Sequence, residues 1–277
     1  MSAKKILFIT QEIIPYVEES EVSICGKLLP VAAQEDGREV RIFHPKWGHV
    51  NERRNQLHEV IRLSGMNMII NETDHPLIIK VASMQGSRMQ VYFIDNDDYF
   101  MKRQMAYDKE GNEYADNGER AVFYARGVLE TVKKLRWCPE VIICQGWMGA
   151  LVPFYIKALY HDEPSFKECK VIYLAQAYEL KSALGPEFIN SLYHKNLDPV
   201  ELEKNKKEQY HYEDLLKIAV DYSDGIIIGS PNISDTAKEI IGNAGKLTLP
   251  YPDNAEDFGK SCNAFYDTVF CSNQKEE

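Results

Sequence analysis

The chain has 277 residues, 44% of them hydrophobic and 27% charged, enough apolar material for one large core or two small ones. A formal net charge of −10 at neutral pH argues against a nucleic-acid partner, because such binding rests on Lys and Arg neutralising phosphates. The apolar run behind Lys4 and Lys5 stops at Gln11-Glu12, too short for a secretory leader, and no stretch approaches a membrane span. A cytoplasmic protein without a membrane partner is therefore expected.

In chain order, KILFIT at residues 5–10 is a continuous branched apolar run, as a buried parallel strand requires. A loop around Pro15 leads to a predicted helix over 24–34 that ends near Asp36-Gly37, and EVRIFH at 39–44 reads as a second strand stopped by Pro45. Strand, helix, strand in this order opens a doubly wound sheet. Residues 58–95 change to period-two segments, at 77–82 and 89–94, which predict an antiparallel hairpin insertion at one side.

Asp116-Asn117-Gly118-Glu119 carries N-cap chemistry for a long helix through Leu135 with Val122, Phe123, Ala125, Val128, Leu129, Val132 and Leu135 on one stripe. Strands are predicted at 140–144, 170–174 and 225–229, and helices at 147–160 and 233–241. Residues 197–214 are highly charged and read as an exposed segment leading into a helix that ends at Tyr222. Beyond Pro250 and Pro252, Asp253 or Asn254 can cap a helix over 255–270. There Phe258, Cys262, Phe265, Tyr266, Val269 and Phe270 recur at helical spacing. The expected organisation is a main domain over residues 1–250 and a docked C-terminal helix within 251–277, with only 272–277 loose. The alternative for the aromatic stripe is packing against a second subunit.

The six cysteines Cys25, Cys138, Cys144, Cys169, Cys262 and Cys271 are scattered without ligand spacing and are expected to be reduced and mostly buried. Asp95-Asn96-Asp97 has the D-x-D form of metal-dependent transferases but ends a predicted strand in a turn sequence, so its reading is structural. His44 and His49 flank Pro45-Lys46-Trp47-Gly48 and read as ordinary loop histidines. No metal and no cofactor is expected.

Several segments resemble glycogen/starch synthases, in that family's order, over roughly residues 4–241. TQEIIPYVEESEVSICGKLLP at 10–30 aligns without gaps on the family's opening loop and first helix, with Glu12, Pro15 and Leu29-Pro30 as landmarks. EVRIFHPKW is similar to "DVRVILPKY", VYFIDNDDYF to "YYFIDNPEYF", ADNGERAVFYARGVLE to "DNAERFAFFSRAALE", and SDGIIIGSPNISDTAKEI to "ADGITTVSPTYAKEI". The resemblance implies a Rossmann-like, doubly wound, mostly parallel α/β sheet with a β-hairpin insertion, like the N-terminal half of a type-B glycosyltransferase. In that fold two such domains face each other, and ADP-glucose and an α-1,4-glucan meet in the cleft. The predicted C-terminal helix resembles the family's helix that returns from the second domain to the first, and the second domain itself is not matched.

Measured against the resemblance, the ligand motifs are rewritten. The family's phosphate loop, Lys-x-Gly-Gly-Leu, becomes Glu18-Glu19-Ser20-Glu21-Val22, so carboxylates replace a diphosphate-binding lysine and a glycine. At 4 Å and an effective dielectric of ~20 one unit-charge interaction is worth about 4 kcal/mol, so reversing its sign matters even when screened. Glu18, Glu19 and Glu21 read as a solvated acidic loop rather than a new acidic site. The family's "HxHDWHT" becomes Ile143-Cys144-Gln145-Gly146-Trp147-Met148-Gly149, and "TIHN" becomes Leu174-Ala175-Gln176-Ala177. Gln145 and Gln176 can hydrogen-bond a hydroxyl but cannot titrate as histidine does. Trp147 has two readings, a face for a sugar ring or packing of a helix start against the sheet.

The candidate cleft is therefore Glu12, Glu18, Ser20, Glu21, Gln145, Trp147 and Gln176, with no catalytic residue assigned. The leading expectation is a synthase-like protein of glucan metabolism that is non-catalytic alone, with binding of α-glucan or nucleotide sugar weakened or lost. Two alternatives stay open. One is a glycosyltransferase N-domain active only with a separate second domain, and the other is a Rossmann-like protein-interaction module whose partner the sequence does not identify.

Overall fold

The computed structural model describes residues 2–87, 89–177, 180, 182–184 and 188–272. In chain order the elements are β1 (Lys5–Ile9), α1 (Glu21–Glu35), β2 (Glu39–Pro45), β3 (His58–Glu59), β4 (Met66–Ile70), β5 (Thr73–Ser83) and β6 (Gln90–Asp95). Then come α2 (Asn117–Leu135), β7 (Val141–Gln145), α3 (Gly146–Gly149), α4 (Val152–Ala158), β8 (Lys170–Ala175), α5 (Phe188–Leu192) and α6 (Pro199–Lys204). The chain closes with α7 (Tyr212–Tyr222), β9 (Gly225–Ile228), α8 (Asp235–Asn243), β10 (Leu247–Leu249), a 3-10 turn at Ala255–Asp257 and α9 (Phe258–Cys271).

The strands form one sheet in the order β10-β9-β8-β7-β1-β2-β6-β5-β3, with β4 paired to β5. From β10 to β6 every neighbouring pair is parallel. The apolar run of β1 explains its central place: Ile6, Leu7, Phe8 and Ile9 are all buried between β2 and β7. The chain winds from β1 to β2 and β6 on one side, then returns through β7, β8, β9 and β10 on the other. The crevice between β1 and β7 is the topological switch point, where ligands of this architecture enter at the carboxyl ends of the strands.

Four expectations change. The segment at 89–94 is β6, which pairs in parallel with β2 and extends the main sheet; the antiparallel pairings are those of β5 with β6, β3 and β4. The predicted helix at 147–160 is broken into α3 and α4 at Ala150-Leu151, with Pro153 in the first turn of α4. Pro45 does not stop β2 but is its last residue, paired opposite Ile94. In α2 burial extends far beyond one stripe, because α3, α4 and α5 cover it on the face away from β4 and β6. Even Arg120 is fully buried, its guanidinium satisfied by the carbonyls of Tyr99, Met105 and Gln104 and by Asn117 Oδ1.

Helix α1 starts with a reciprocal capping box in which Ser20 Oγ accepts from Ser23 N at 3.0 Å and Ser23 Oγ accepts from Ser20 N at 2.8 Å. Gly26 lets the helix lie against the loop after β1: a Cβ there would sit 2.1 Å from the Glu12 carbonyl oxygen.

Helix α9 packs on α1 and on β9, burying Phe258, Cys262, Phe265, Tyr266 and Val269. Arg38 pins it: its two Nη atoms reach Asp267 at 2.8 and 3.1 Å, and Nη2 also donates to Asn263 O at 3.0 Å. The expectation for 272–277 falls, beyond Ser272, outside the described residues.

Candidate functional site

The carboxyl ends of β1, β7, β8 and β9 are crossed by a continuous polar seam. Glu12 N donates to Thr10 Oγ1 at 3.2 Å, and the Thr10 hydroxyl donates to Gln145 Oε1. Gln145 Nε2 donates to Val22 O at 3.0 Å and to Gln176 Oε1, and Gln176 Nε2 donates to Gly229 O at 3.4 Å. The seam continues outward, where the Ser20 hydroxyl donates to Glu12 Oε2 at 2.8 Å and Gln11 Nε2 donates to Glu12 Oε1 at 3.0 Å. One chain of hydrogen bonds thus ties the cap of α1 to four adjacent strand ends across the switch point.

The seam is closed rather than poised. Gln11, Glu12, Gln145 and Gln176 are 1%, 5%, 2% and 5% exposed, so almost no surface is left for a ligand. The void beneath it, lined by Phe8, Gly26, Ile143 and Leu174 among others, measures about 10 Å³, room for at most one water. Gly146 completes the closure: its φ of +74° turns the chain tightly at the end of β7, and a Cβ would meet Gln11 Oε1 at 2.1 Å.

Glu18, Glu19 and Glu21 lie on the exposed rim at the start of α1. A helix N-terminus ordinarily attracts anions through its free N–H groups and dipole, and here three carboxylates already occupy that field. The structure therefore gathers Glu12, Ser20, Gln145 and Gln176 into one network and leaves Glu18 and Glu21 on its acidic lip. Trp147 stands apart, fully buried in α3, and offers no open face to a sugar ring. Thr10 and Gln11 are central to the seam and were not singled out from the sequence. The available signal was two polar residues directly after a wholly apolar strand.

The other motifs resolve separately. Asp95 is buried against Lys80 at 2.8 Å, and Asn96 Oδ1 accepts from the backbone N–H groups of Asp98 and Tyr99, so Asp95 and Asp97 do not converge on a cation. Among the described residues no trio of His, Cys, Asp or Glu is placed to hold a metal. Cys25, Cys144, Cys169 and Cys262 are buried free thiols. No helix is long and apolar enough to cross a membrane among the described residues.

His44 is not a loop histidine. It is the sixth residue of β2, fully buried beside Tyr16 and Phe93, and neither ring nitrogen has a partner among the described residues. Burial drives its pKa down to about 3. The unfolded chain takes up a proton below the ordinary imidazole value of ~6.5 while the folded chain does not, so stability falls with pH by roughly 1.4 kcal/mol per unit from there. Replacing His44 with Phe is expected to flatten that slope by about 2 kcal/mol between about pH 7 and pH 5. Urea unfolding of both proteins at each pH measures it, and parallel profiles would contradict this assignment.

A doubly wound sheet with polar residues gathered at its switch point defines the class of Rossmann-like α/β domains. Within that class, residues 5–267 match the family described as the starch synthase catalytic domain, and the chain belongs to that family. The glycogen synthase of Chlorobium luteolum is 33% identical over 207 residues, which make up 72% of this chain and 42% of the relative. That of Chlorobium phaeovibrioides is 30% identical over 250 residues, 87% of this chain and 48% of the relative. The catalytic domain of Starch Synthase IV from Arabidopsis thaliana, bound to ADP and acarbose, shares the fold with a TM-score of 0.71 at 15% identity, over 92% of this chain and 53% of that one. The chain spans about half the length of the curated relatives it matches.

Proposed function

We propose that this domain is a cytoplasmic, non-catalytic component of glucan metabolism, which keeps the synthase scaffold but neither holds a nucleotide sugar nor transfers glucose by itself. The observation that carries this reading is the closed seam. Separating Gln145 from Gln176 to admit a ligand leaves buried amide groups to be satisfied again, at about 1–3 kcal/mol each. Two such groups cost one to four orders of magnitude in affinity, on the order of what a micromolar ligand has to spare. The acidic lip of Glu18, Glu19 and Glu21 opposes a diphosphate in addition.

Incorporation of labelled glucose from ADP-glucose into glycogen tests the catalytic half of the proposal. The expected outcome is no incorporation above the protein-free control, and a rate proportional to protein concentration would overturn it. A neutral α-glucan meets no charge repulsion at the lip, so retained binding of maltooligosaccharide or glycogen is compatible with this reading.

A second reading, a protein-interaction module, draws support from α1. Ile24 and Leu28 are each 42% exposed along a groove of about 810 Å³ between α1 and α9. Binding to a protein with no affinity for any glucan would favour it.

A further inference from the structure

Helix α1 leaves one side uncovered. Ile24, Leu28 and Val31 follow one another at helical spacing and share a face, and Ile24 and Leu28 are each 42% exposed. Beside them runs the groove of about 810 Å³ between α1 and α9. The two helices approach closely there, since a Cβ on Gly259 would sit 2.7 Å from the Ala32 Cβ. Ala32, Gly259 and Ala264 line the groove with little side chain, which leaves room for apolar groups from outside.

The charges around the groove are nearly balanced, unlike those of the chain as a whole. Lys27, Arg38 and Lys260 line it against Glu35, Asp36, Glu256 and Asp267, on a chain of net charge −10. Arg38 is already engaged by Asp36 and Asp267. Lys27 and Glu35 of α1, Glu256 of the 3-10 turn and Lys260 of α9 have no ion-pair partner among the described residues. Val31 lies midway between Lys27 and Glu35, four residues from each and on the same face. A strongly basic or acidic partner would meet little net field here, whereas a face holding unpaired charges of both signs in equal number complements itself.

We propose that this face is a two-fold interface, in which α1 of a second copy of this chain lies antiparallel across α1 with the axis at Val31. The rotation sets Lys27 of each copy opposite Glu35 of the other and carries Ile24 and Leu28 of each over the other's groove. A parallel arrangement would bring Lys27 onto Lys27 and Glu35 onto Glu35, and would align the two helix dipoles instead of opposing them. The interface rests on the interaction-module reading of α1 and needs nothing from the seam.

Sedimentation equilibrium of the full chain without ligand tests this over about 1–100 µM, the range of a small transient interface. The parent is expected to pass from monomer to dimer within it. Each substitution acts twice across a two-fold, so Leu28→Glu should raise the midpoint about tenfold or more. Lys27→Glu and Glu35→Lys should each weaken self-association about tenfold at low salt, and less at high salt. An equimolar mixture of these two single variants should associate as well as the parent, because opposite charges then meet at both contacts. All three side chains are at least partly exposed, so melting temperatures should stay near the parent's. A parent that stays monomeric up to about 100 µM, a dimer indifferent to Leu28→Glu, or a mixture no better than either variant alone would each overturn the two-fold. Glucan titration of the same samples separates the two readings. A monomer that binds glucan contradicts the interaction module as well, and a monomer that binds none contradicts only the self-pairing.

Discussion

Truncation after Tyr251 is expected to abolish the cooperative fold. Phe258, Phe265 and Val269 of α9 are buried against the main sheet and α1, and each is worth roughly 1.5–3 kcal/mol in apolar burial. Their loss alone approaches a typical total stability of about 5–15 kcal/mol, and the cut also strips Arg38 of Asp267 and Asn263. Insoluble protein, or soluble protein with no thermal transition, is the expected result. A truncated chain with the parent's melting temperature would show that residues 252–277 are dispensable. The point substitution Asp267→Ala gives a graded version, because Asp36 still engages Arg38. It should cost about 2 kcal/mol, less than the loss of a fully enclosed pair.

The second large effect concerns the acidic lip. Glu18→Lys combined with Glu21→Gly should raise ADP affinity at least tenfold, and the gain should shrink as salt is added. Both side chains are exposed, and the Ser20 cap that shapes the turn is left in place, so the substitutions act on the field rather than on the scaffold. Adding Gln176→Ala, which removes the acceptor of Gln145, should increase the gain further if the seam and the lip exclude nucleotide independently. No response to the loop changes, with or without Gln176→Ala, would mean that the backbone around Ser20 has lost the shape that receives a phosphate.

The sheet was legible because buried parallel strands read as unbroken apolar runs, and β1, β2, β7, β8 and β9 all fall within a residue or so of their predicted ends. The direction of β6 was not legible. Val91 to Asp95 are buried on both faces, and a side-chain pattern does not report strand direction, so β6 could not be read as parallel to β2 and antiparallel to β5. The break after β7 does carry a signal, since Gly149 ends α3 and Pro153 marks the first turn of α4, but a continuous apolar composition on both sides of it reads as one helix. Gln145 and Gln176 were recognisable as departures from the family's motifs, but their mutual bond was not. It arises because β7 and β8 stack in a register that sets Gln145 opposite Leu174, which brings a residue 31 positions later alongside. His44 was misread because Pro45 looked like a strand end, whereas a proline can occupy the last position of a strand without breaking the ladder before it.

The account turns on whether the switch-point crevice is closed to nucleotide, and calorimetric titration of the full chain with ADP and ADP-glucose, beside maltooligosaccharide and glycogen, tests this most directly. The prediction is no saturable heat with either nucleotide up to about 1 mM, an affinity no better than roughly −4 kcal/mol, whatever the glucans do. Saturable binding of ADP or ADP-glucose in the micromolar range would contradict it, because the Thr10–Gln145–Gln176 seam would then have to open at little cost.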